Sequence, residues 1–140
     1  MDSEQTSTSA LQHGTGSESL TNGIFVRVSP SYLAAQSDPA AGRFLFSYHV
    51  MIRNEGVVGA RLCSRQWIIV DGEGNRHDVN GMGVVGHYPD LAPGESFEYS
   101  SFCPLPTSWG TMEGSYIMEQ HEGGVFEAVV NRFFLVSPAC

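Results

Sequence analysis

Residues 64–101 read SRQWIIVDGEGNRHDVNGMGVVGHYPDLAPGESFEYSS, and this stretch decides the fold. Its strand patterns are short and are separated by turns rich in Gly, Asn, Asp and Pro; they span residues 65–70, 76–79 and 97–101. The first contains the apolar run from Trp67 to Val70, which is typical of a central strand covered on both faces. The stretch therefore predicts antiparallel hairpins.

The flanking sequence continues this pattern in both directions. Residues 43–54 alternate most regularly, and one face of this segment carries Phe44, Phe46, Tyr48, Val50 and Ile52. Further strand patterns lie at residues 24–28, which Pro30 is expected to end, and at residues 110–119 and 125–136. No segment of useful length has helical periodicity. The chain is therefore predicted to be all-β, an immunoglobulin- or fibronectin type III-like antiparallel β-sandwich of about seven strands.

The first 21 residues differ in composition from the rest of the chain. They consist mainly of Ser, Thr, Gly, Gln and Glu, and they offer little apolar surface to bury. Residues 1–21 are therefore predicted to be a disordered N-terminal tail, and residues 22–140 are predicted to form the sandwich domain. Deletion of this tail is expected to leave the melting temperature nearly unchanged.

Charge and composition exclude several classes of partner. The formal net charge of −8 argues against nonspecific binding to nucleic acid or to an anionic membrane. No segment has the ~18 apolar residues of a membrane span, and the N-terminus lacks the features of a signal peptide. Cys63, Cys103 and Cys140 have no metal-ligand spacing, so they are expected to be reduced thiols of a cytoplasmic protein that holds no metal and no cofactor.

The glycine loop at residues 81–86 is the candidate ligand site. Its G-x-G-x-x-G spacing is that of dinucleotide-binding proteins, but no helix pattern follows, so a Rossmann site is rejected. Glycine-rich backbone can still bind an anion through its N–H groups, assisted by nearby positive charge. The candidate residues are Gly81, Gly83, Gly86, Arg65, Arg76 and His87. The alternative is that the glycines only shape a sharp loop and let strands approach closely.

Catalytic motifs are not apparent in the sequence. Ser100 and Ser101 offer hydroxyl groups, but no G-x-S-x-G nucleophile elbow accompanies them. The carboxylates Glu98 and Glu113 fall on different predicted strands, and their spacing gives no support to an acid–base pair. The protein is therefore predicted to be non-enzymatic.

An ordered set of motifs in this chain resembles the ApaG family. The set covers roughly residues 23–138 and includes Ser64-Arg65-x-Trp67-x-Ile69, Gly81-x-Gly83-Val84-Val85-Gly86-x-x-Pro89, Leu91-x-Pro93-Gly94-x-x-Phe97-x-Tyr99-x-Ser101 and Arg132-Phe133-x-Leu135-x-x-Pro138. The resemblance implies a fibronectin III-like sandwich. It also implies a protein similar to the short, free-standing bacterial members of the family.

The same resemblance carries expectations about function. The family includes the C-terminal domain of certain F-box proteins, which is thought to recognise partners, and the glycine motif has prompted proposals of nucleotide or pyrophosphate binding. The resemblance therefore implies a domain that binds a protein partner or a small phosphorylated ligand through the glycine-loop region. The alternative is a hydrolase or accessory factor in dinucleotide polyphosphate metabolism. The family has no established catalytic residues, and Gln66 and the pair His87-Tyr88 depart from its usual pattern beside the loop.

Overall fold

A computed structural model describes residues 15–138 of the 140-residue chain. These residues form nine strands: β1 (Ser17–Thr21), β2 (Ile24–Tyr32), β3 (Phe44–Asn54), β4 (Ala60–Asp71), β5 (Arg76–Met82), β6 (Asp90–Leu91), β7 (Ser96–Leu105), β8 (Trp109–Gln120) and β9 (Val125–Val136). Two short 3-10 turns, Ala34–Gln36 and Pro39–Ala41, lie between β2 and β3. Within the described range, no helix has the length and apolar character needed to cross a membrane.

The strands form two antiparallel sheets that enclose one core. The first sheet has the order β1-β2-β3-β7, and the second has the order β5-β4-β8-β9, with β6 paired to the start of β4. The predicted antiparallel β-sandwich is confirmed. The structure has more strands than the seven expected. β1 is polar and β6 has only two residues, so neither shows the apolar alternation from which a strand is predicted.

The core is built from the inward faces of these strands. The alternating residues of β3 that were predicted to share a face are buried, except for Phe44 at its start, which is half-buried. Trp67 on β4 is only 3% exposed, and its ring makes edge-to-face contacts with Tyr48, Tyr116 and Phe133 at centroid distances of 5.6, 6.0 and 5.9 Å. The predicted burial of Trp67 is therefore confirmed.

The prediction that β4 is covered on both faces is wrong. The three residues that follow Trp67 are only half-buried. Ile68 and Val70 lie on the outer face of the second sheet, where no further layer packs among the described residues. A run of consecutive apolar residues therefore did not indicate a second covering layer, because the outward members of the run are half-exposed at a sheet face.

The prediction of disorder through residue 21 is also wrong, because Ser17–Thr21 forms β1. This strand pairs with β2, and the two are joined by Asn22 and Gly23, both at positive φ (47° and 84°). Two such residues make a tight hairpin turn, for which Asn-Gly is the strongest sequence signal. The amide of Asn131 also donates to the carbonyl of Glu18 at 2.8 Å. Backbone pairing therefore holds this polar strand in the first sheet. The rest of the predicted tail, residues 1–14, lies outside the described residues.

Deleting residues 1–21 is now expected to lower the melting temperature. The deletion removes the main-chain pairing of β1 with β2 and its side-chain contacts with β9. We expect a loss of more than about 5 °C, equivalent to roughly 1 kcal/mol for a domain of this size. A second deletion, of residues 1–14, separates the contribution of β1 from that of the preceding residues. Equal melting temperatures for the two deletions would show that β1 contributes nothing.

Pro30 does not end β2, which continues to Tyr32. The pairing of β1 with β2 stops at Ser17 and Val28, so the nitrogen of Pro30 faces a side where no strand partner requires an N–H donor. Cys63 and Cys103 are free thiols, and Cys140 lies outside the described residues.

Candidate functional site

The glycine loop is a tight hairpin that continues β5. The N–H of Gly83 donates to the carbonyl of Cys63 at 2.9 Å, so pairing with β4 extends one residue beyond the strand. Val84 and His87 exchange two main-chain hydrogen bonds, of 2.9 and 2.8 Å. Val85 and Gly86 between them both have positive φ, 42° and 83°, which is the conformation of a two-residue type I′ turn. Val84 is fully buried and anchors this hairpin in the core.

Close packing surrounds two of the three motif glycines, and it is strictly limiting at Gly83, where the neighbour is backbone. A Cβ atom at Gly81 would lie 2.6 Å from Nη2 of Arg65, because the guanidinium occupies the space over this residue. A Cβ atom at Gly83, where φ is 62°, would collide with the carbonyl oxygen of His87. The close approach of backbone and side chains therefore explains these glycines in structural terms.

Arg65 holds the loop from the neighbouring strand. Its Nη1 donates to the carbonyl oxygens of Met82 and Gly83, at 3.1 and 2.8 Å. The other six arginines each form an ion pair with a carboxylate: Arg27–Glu18, Arg43–Asp38, Arg53–Glu55, Arg61–Glu119, Arg76–Asp78 and Arg132–Glu113. Among residues 15–138, Arg65 alone of the seven has no carboxylate partner. The predicted proximity of Arg65 to the loop is thus observed.

Arg76 does not lie beside the glycine loop. It is at the opposite end of β5, five residues or roughly 17 Å from Gly81. Its guanidinium donates from Nε and Nη2 to Asp78 at 2.8 and 3.0 Å, and this contact raises the pKa of Arg76 above its ordinary value. The prediction that Arg76 adds charge to the loop is therefore wrong, because the length of an extended strand separates the guanidinium from the glycines.

His87 lies at the base of the hairpin. Its main chain closes the turn, and its ring packs against that of Phe97, with a centroid distance of 5.6 Å. The imidazole is therefore beside the loop, as predicted, and packs at a tilt of 54° against an aromatic ring of β7.

The loop offers few free donors for an anion. Hydrogen bonds within the protein engage the N–H groups of Gly83, Val84 and His87. Within the described part of the chain, the N–H groups of Val85 and Gly86 at the tip have no acceptor. An anion at this turn would therefore have to use the adjacent amides of Val85 and Gly86, because hydrogen bonds within the protein already engage those of Gly83, Val84 and His87.

Large apolar side chains surround the same loop. Met82 is 65% exposed, Val85 is 51% exposed and Tyr88 is 49% exposed. The ring of Tyr88 lies against Gly83, so Tyr88 and the hairpin are in contact. We call these three residues the loop surface. Sequence reasoning concentrated on the glycines and missed them, although three large apolar residues near a turn are themselves a signal, since turns are usually polar.

A separate polar cluster lies on the outer face of the first sheet. His49 on β3 contacts Ser100 through Nδ1 at 2.9 Å and Glu98 through Nε2 at 2.7 Å. The order Ser–His–carboxylate resembles a catalytic relay, but these residues are cross-strand neighbours, and His49 and Glu98 have side chains about half exposed on an open sheet face. We interpret the cluster as a surface pairing. In the range 15–138, no three His, Cys, Asp or Glu side chains are grouped to hold a metal ion.

Comparison with known proteins identifies the family. The ApaG domain model matches residues 34–120. Protein ApaG of Anaeromyxobacter dehalogenans is 50% identical over 122 residues, which are 87% of this chain and 96% of that protein. Protein ApaG of Azoarcus sp. is 48% identical over 122 residues, again 87% of this chain and 96% of the relative. The crystal structure of the putative ApaA protein from Bordetella pertussis superposes with a TM-score of 0.81 at 47% identity, covering 84% of this chain and 95% of that one. The chain therefore belongs to the ApaG family.

Proposed function

We propose that this protein is a non-enzymatic binding domain that recognises a protein partner through the loop surface. The observation that carries the proposal is that Met82, Val85 and Tyr88, around one hairpin, are 65%, 51% and 49% exposed. Met and Tyr are enriched at protein interfaces, where their apolar bodies fill pockets on the partner. None of these three side chains belongs to the buried core.

The loop is held in one conformation before any partner arrives. Arg65 bonds two of its carbonyl groups, Val84 anchors it in the core, and the Val84–His87 pair closes it. A contact surface on a fixed backbone loses little conformational freedom on binding, so more of the interaction energy appears as affinity. The glycines support this surface by allowing the close packing described above.

A small phosphorylated ligand, such as a nucleotide or pyrophosphate, is the second candidate. It is supported by the unpaired charge of Arg65 and by the free N–H groups of Val85 and Gly86. The engagement of the other loop amides, and of Arg76 with Asp78, leaves this candidate with fewer donors than the sequence suggested.

The test compares a loop variant with a matched surface variant. The loop variant combines Met82→Ser, Val85→Asn and Tyr88→Ser. The control combines Val57→Ser and Val125→Ser, two valines outside the loop surface that are 91% and 65% exposed. Cell extract from the source organism is passed over each immobilised protein, and bound proteins are quantified. We expect partners that the wild type and the control retain and the loop variant loses. Equal retention by all three would contradict the proposal.

Calorimetry addresses the second candidate directly. Wild-type protein is titrated with ATP, diadenosine tetraphosphate and pyrophosphate, and so is an Arg65→Gln variant. The protein-partner proposal predicts no binding heat at millimolar ligand. Saturable binding that Arg65→Gln weakens by about 10- to 150-fold, the effect of one charge-assisted hydrogen bond, would instead establish the small-anion function.

A further inference from the structure

A groove of about 430 Å³ opens on the side of the sandwich where β5 and β7 are the outermost strands. On the opposite side, β9 packs against β1 and β2. Among the strands of residues 15–138, β5 pairs with β4 alone, and none of its seven residues is buried. Its inward-facing residues His77 and Val79 therefore line an open space, which is within the usual size range of small-molecule sites.

The walls of this groove are largely apolar and aromatic. Tyr48 and Trp67 form its floor, and Ile69, Val79, Phe102 and Met112 contribute further apolar surface. Val79 is 41% exposed on the groove side of β5, so it is available to a ligand, whereas Phe102 belongs to the outward face of β7 and only borders the groove. Aromatic rings in such a setting favour edge-to-face or offset contact with another ring.

The groove is positively charged within a strongly acidic protein. Its cationic residue is Arg65, His77 also lines it, and no Asp or Glu of residues 15–138 does. Arg65 uses Nη1 for the loop carbonyls, and its Nε and Nη2 have no hydrogen-bond acceptor within residues 15–138. A guanidinium with two free donors is suited to a carboxylate.

The other titratable groups that line the groove carry no negative charge that would repel an anion. Burial raises the pKa of the Cys103 thiol to about 11, and burial also raises the pKa of Tyr48. Both groups are therefore neutral at physiological pH, since each would lose its proton only in strongly alkaline solution. The groove thus combines an apolar body with a single cationic end.

The edge of β7 at this groove is poorly suited to pairing with an added strand. The N–H of Leu45 donates to Ser37 and its carbonyl accepts from Leu33, so both main-chain groups of Leu45 face away from β7. Its partner Pro104 therefore turns its own main-chain groups toward the free edge, where it has no N–H to donate. Pro106 also lines the groove. These prolines favour a compact ligand over an extended peptide.

We propose that this groove binds a small carboxylate that carries an aromatic group. The carboxylate lies on Nε and Nη2 of Arg65, and the aromatic group packs against Ile69 and Val79, which face the groove from β4 and β5. The site is distinct from the loop surface, and its charge complementarity to a carboxylate is the argument for this occupant.

The experiment is a titration of the ¹⁵N-labelled full chain followed by amide chemical shifts. The probe is 3-phenylpropionate, and its neutral isostere 3-phenylpropanamide is the control ligand. We expect saturable shifts at the amides of Val79 and Phe102 with the acid, and affinity at least about tenfold weaker with the amide. Equal affinities, shifts that do not saturate, or shifts confined to other regions would each overturn the proposal.

Two variants that leave Arg65 and the glycine loop unchanged test whether the carboxylate binds in the groove. Val79→Glu introduces a like charge at an exposed groove position, whereas Val57→Glu introduces the same charge at a position that is 91% exposed and does not line the groove. We expect Val79→Glu to weaken binding of 3-phenylpropionate at least about tenfold and Val57→Glu to leave it unchanged. Equal binding by both variants, or binding of an acetylated Leu-Glu-Leu-Glu peptide in preference to the acid, contradicts the assignment.

Discussion

Replacing Trp67 with alanine is expected to lower the free energy of unfolding by about 3–5 kcal/mol. The ring is 3% exposed and contacts three other aromatic rings from both sheets, so its removal leaves a cavity at the centre of the sandwich. Urea denaturation followed by circular dichroism measures the loss. Tyr48, Tyr116 and Phe133 would each lose an edge-to-face neighbour in the variant.

Trp109 provides the matched control for this prediction. It is the second tryptophan of the chain and is 45% exposed, so Trp109→Ala removes the same side chain with far less loss of buried surface. We expect a clearly smaller effect on stability. If both substitutions destabilise the protein equally, Trp67 is not the centre of the core.

The second large effect is expected from Asn54→Asp, a nearly isosteric change at a buried polar residue. Asn54 is 1% exposed; its Nδ2 donates to the carbonyls of Val58 and Leu91, both at 2.9 Å, and its Oδ1 accepts from the N–H of Gly56 at 2.9 Å. A carboxylate there would face two carbonyl oxygens with no proton to offer. We expect a loss of roughly 3 kcal/mol or more at pH 7, because two buried hydrogen bonds are replaced by repulsion.

The pH dependence of this variant separates charge from packing. Burial beside two carbonyl oxygens raises the pKa of the new carboxyl in the folded state above its ordinary value of about 4. The variant is therefore most stable, relative to the wild type, below that ordinary value, and it loses stability as the pH rises through the raised folded-state pKa. Asn80→Asp, at an exposed position of β5, is the control and should show no such trend. A pH-independent deficit would mean that shape alone matters.

The sequence predicted the layered fold because burial in a sandwich follows the period of two. In β3, the residues assigned to one face from their alternation are the ones that the opposite sheet covers. The same reasoning failed for β1, because a strand held by backbone pairing and a few side-chain hydrogen bonds needs no apolar alternation. Its Asn-Gly turn was the available signal.

The candidate site was predicted less well, for a reason of geometry. Arg65 was correctly associated with the glycine loop because β4 and β5 place it opposite Gly81. Arg76 is nearer to that loop in sequence but is separated from it by the length of an extended strand. The groove between β5 and β7 could not be predicted, because it depends on which strands end each sheet.

Val85 shows a conflict between what the fold needs and what the chain supplies. A β-branched residue at φ 42° is in a conformation that Asn or Gly adopts readily, and holding it there costs on the order of 1 kcal/mol or more. Because the side chain is half exposed, its burial does not compensate for that strain. Selection for stability alone would therefore replace this valine. The proposed contact of the loop surface with a partner predicts such a trade-off, in which a residue at the tip of the hairpin is retained at the expense of the protein's own stability.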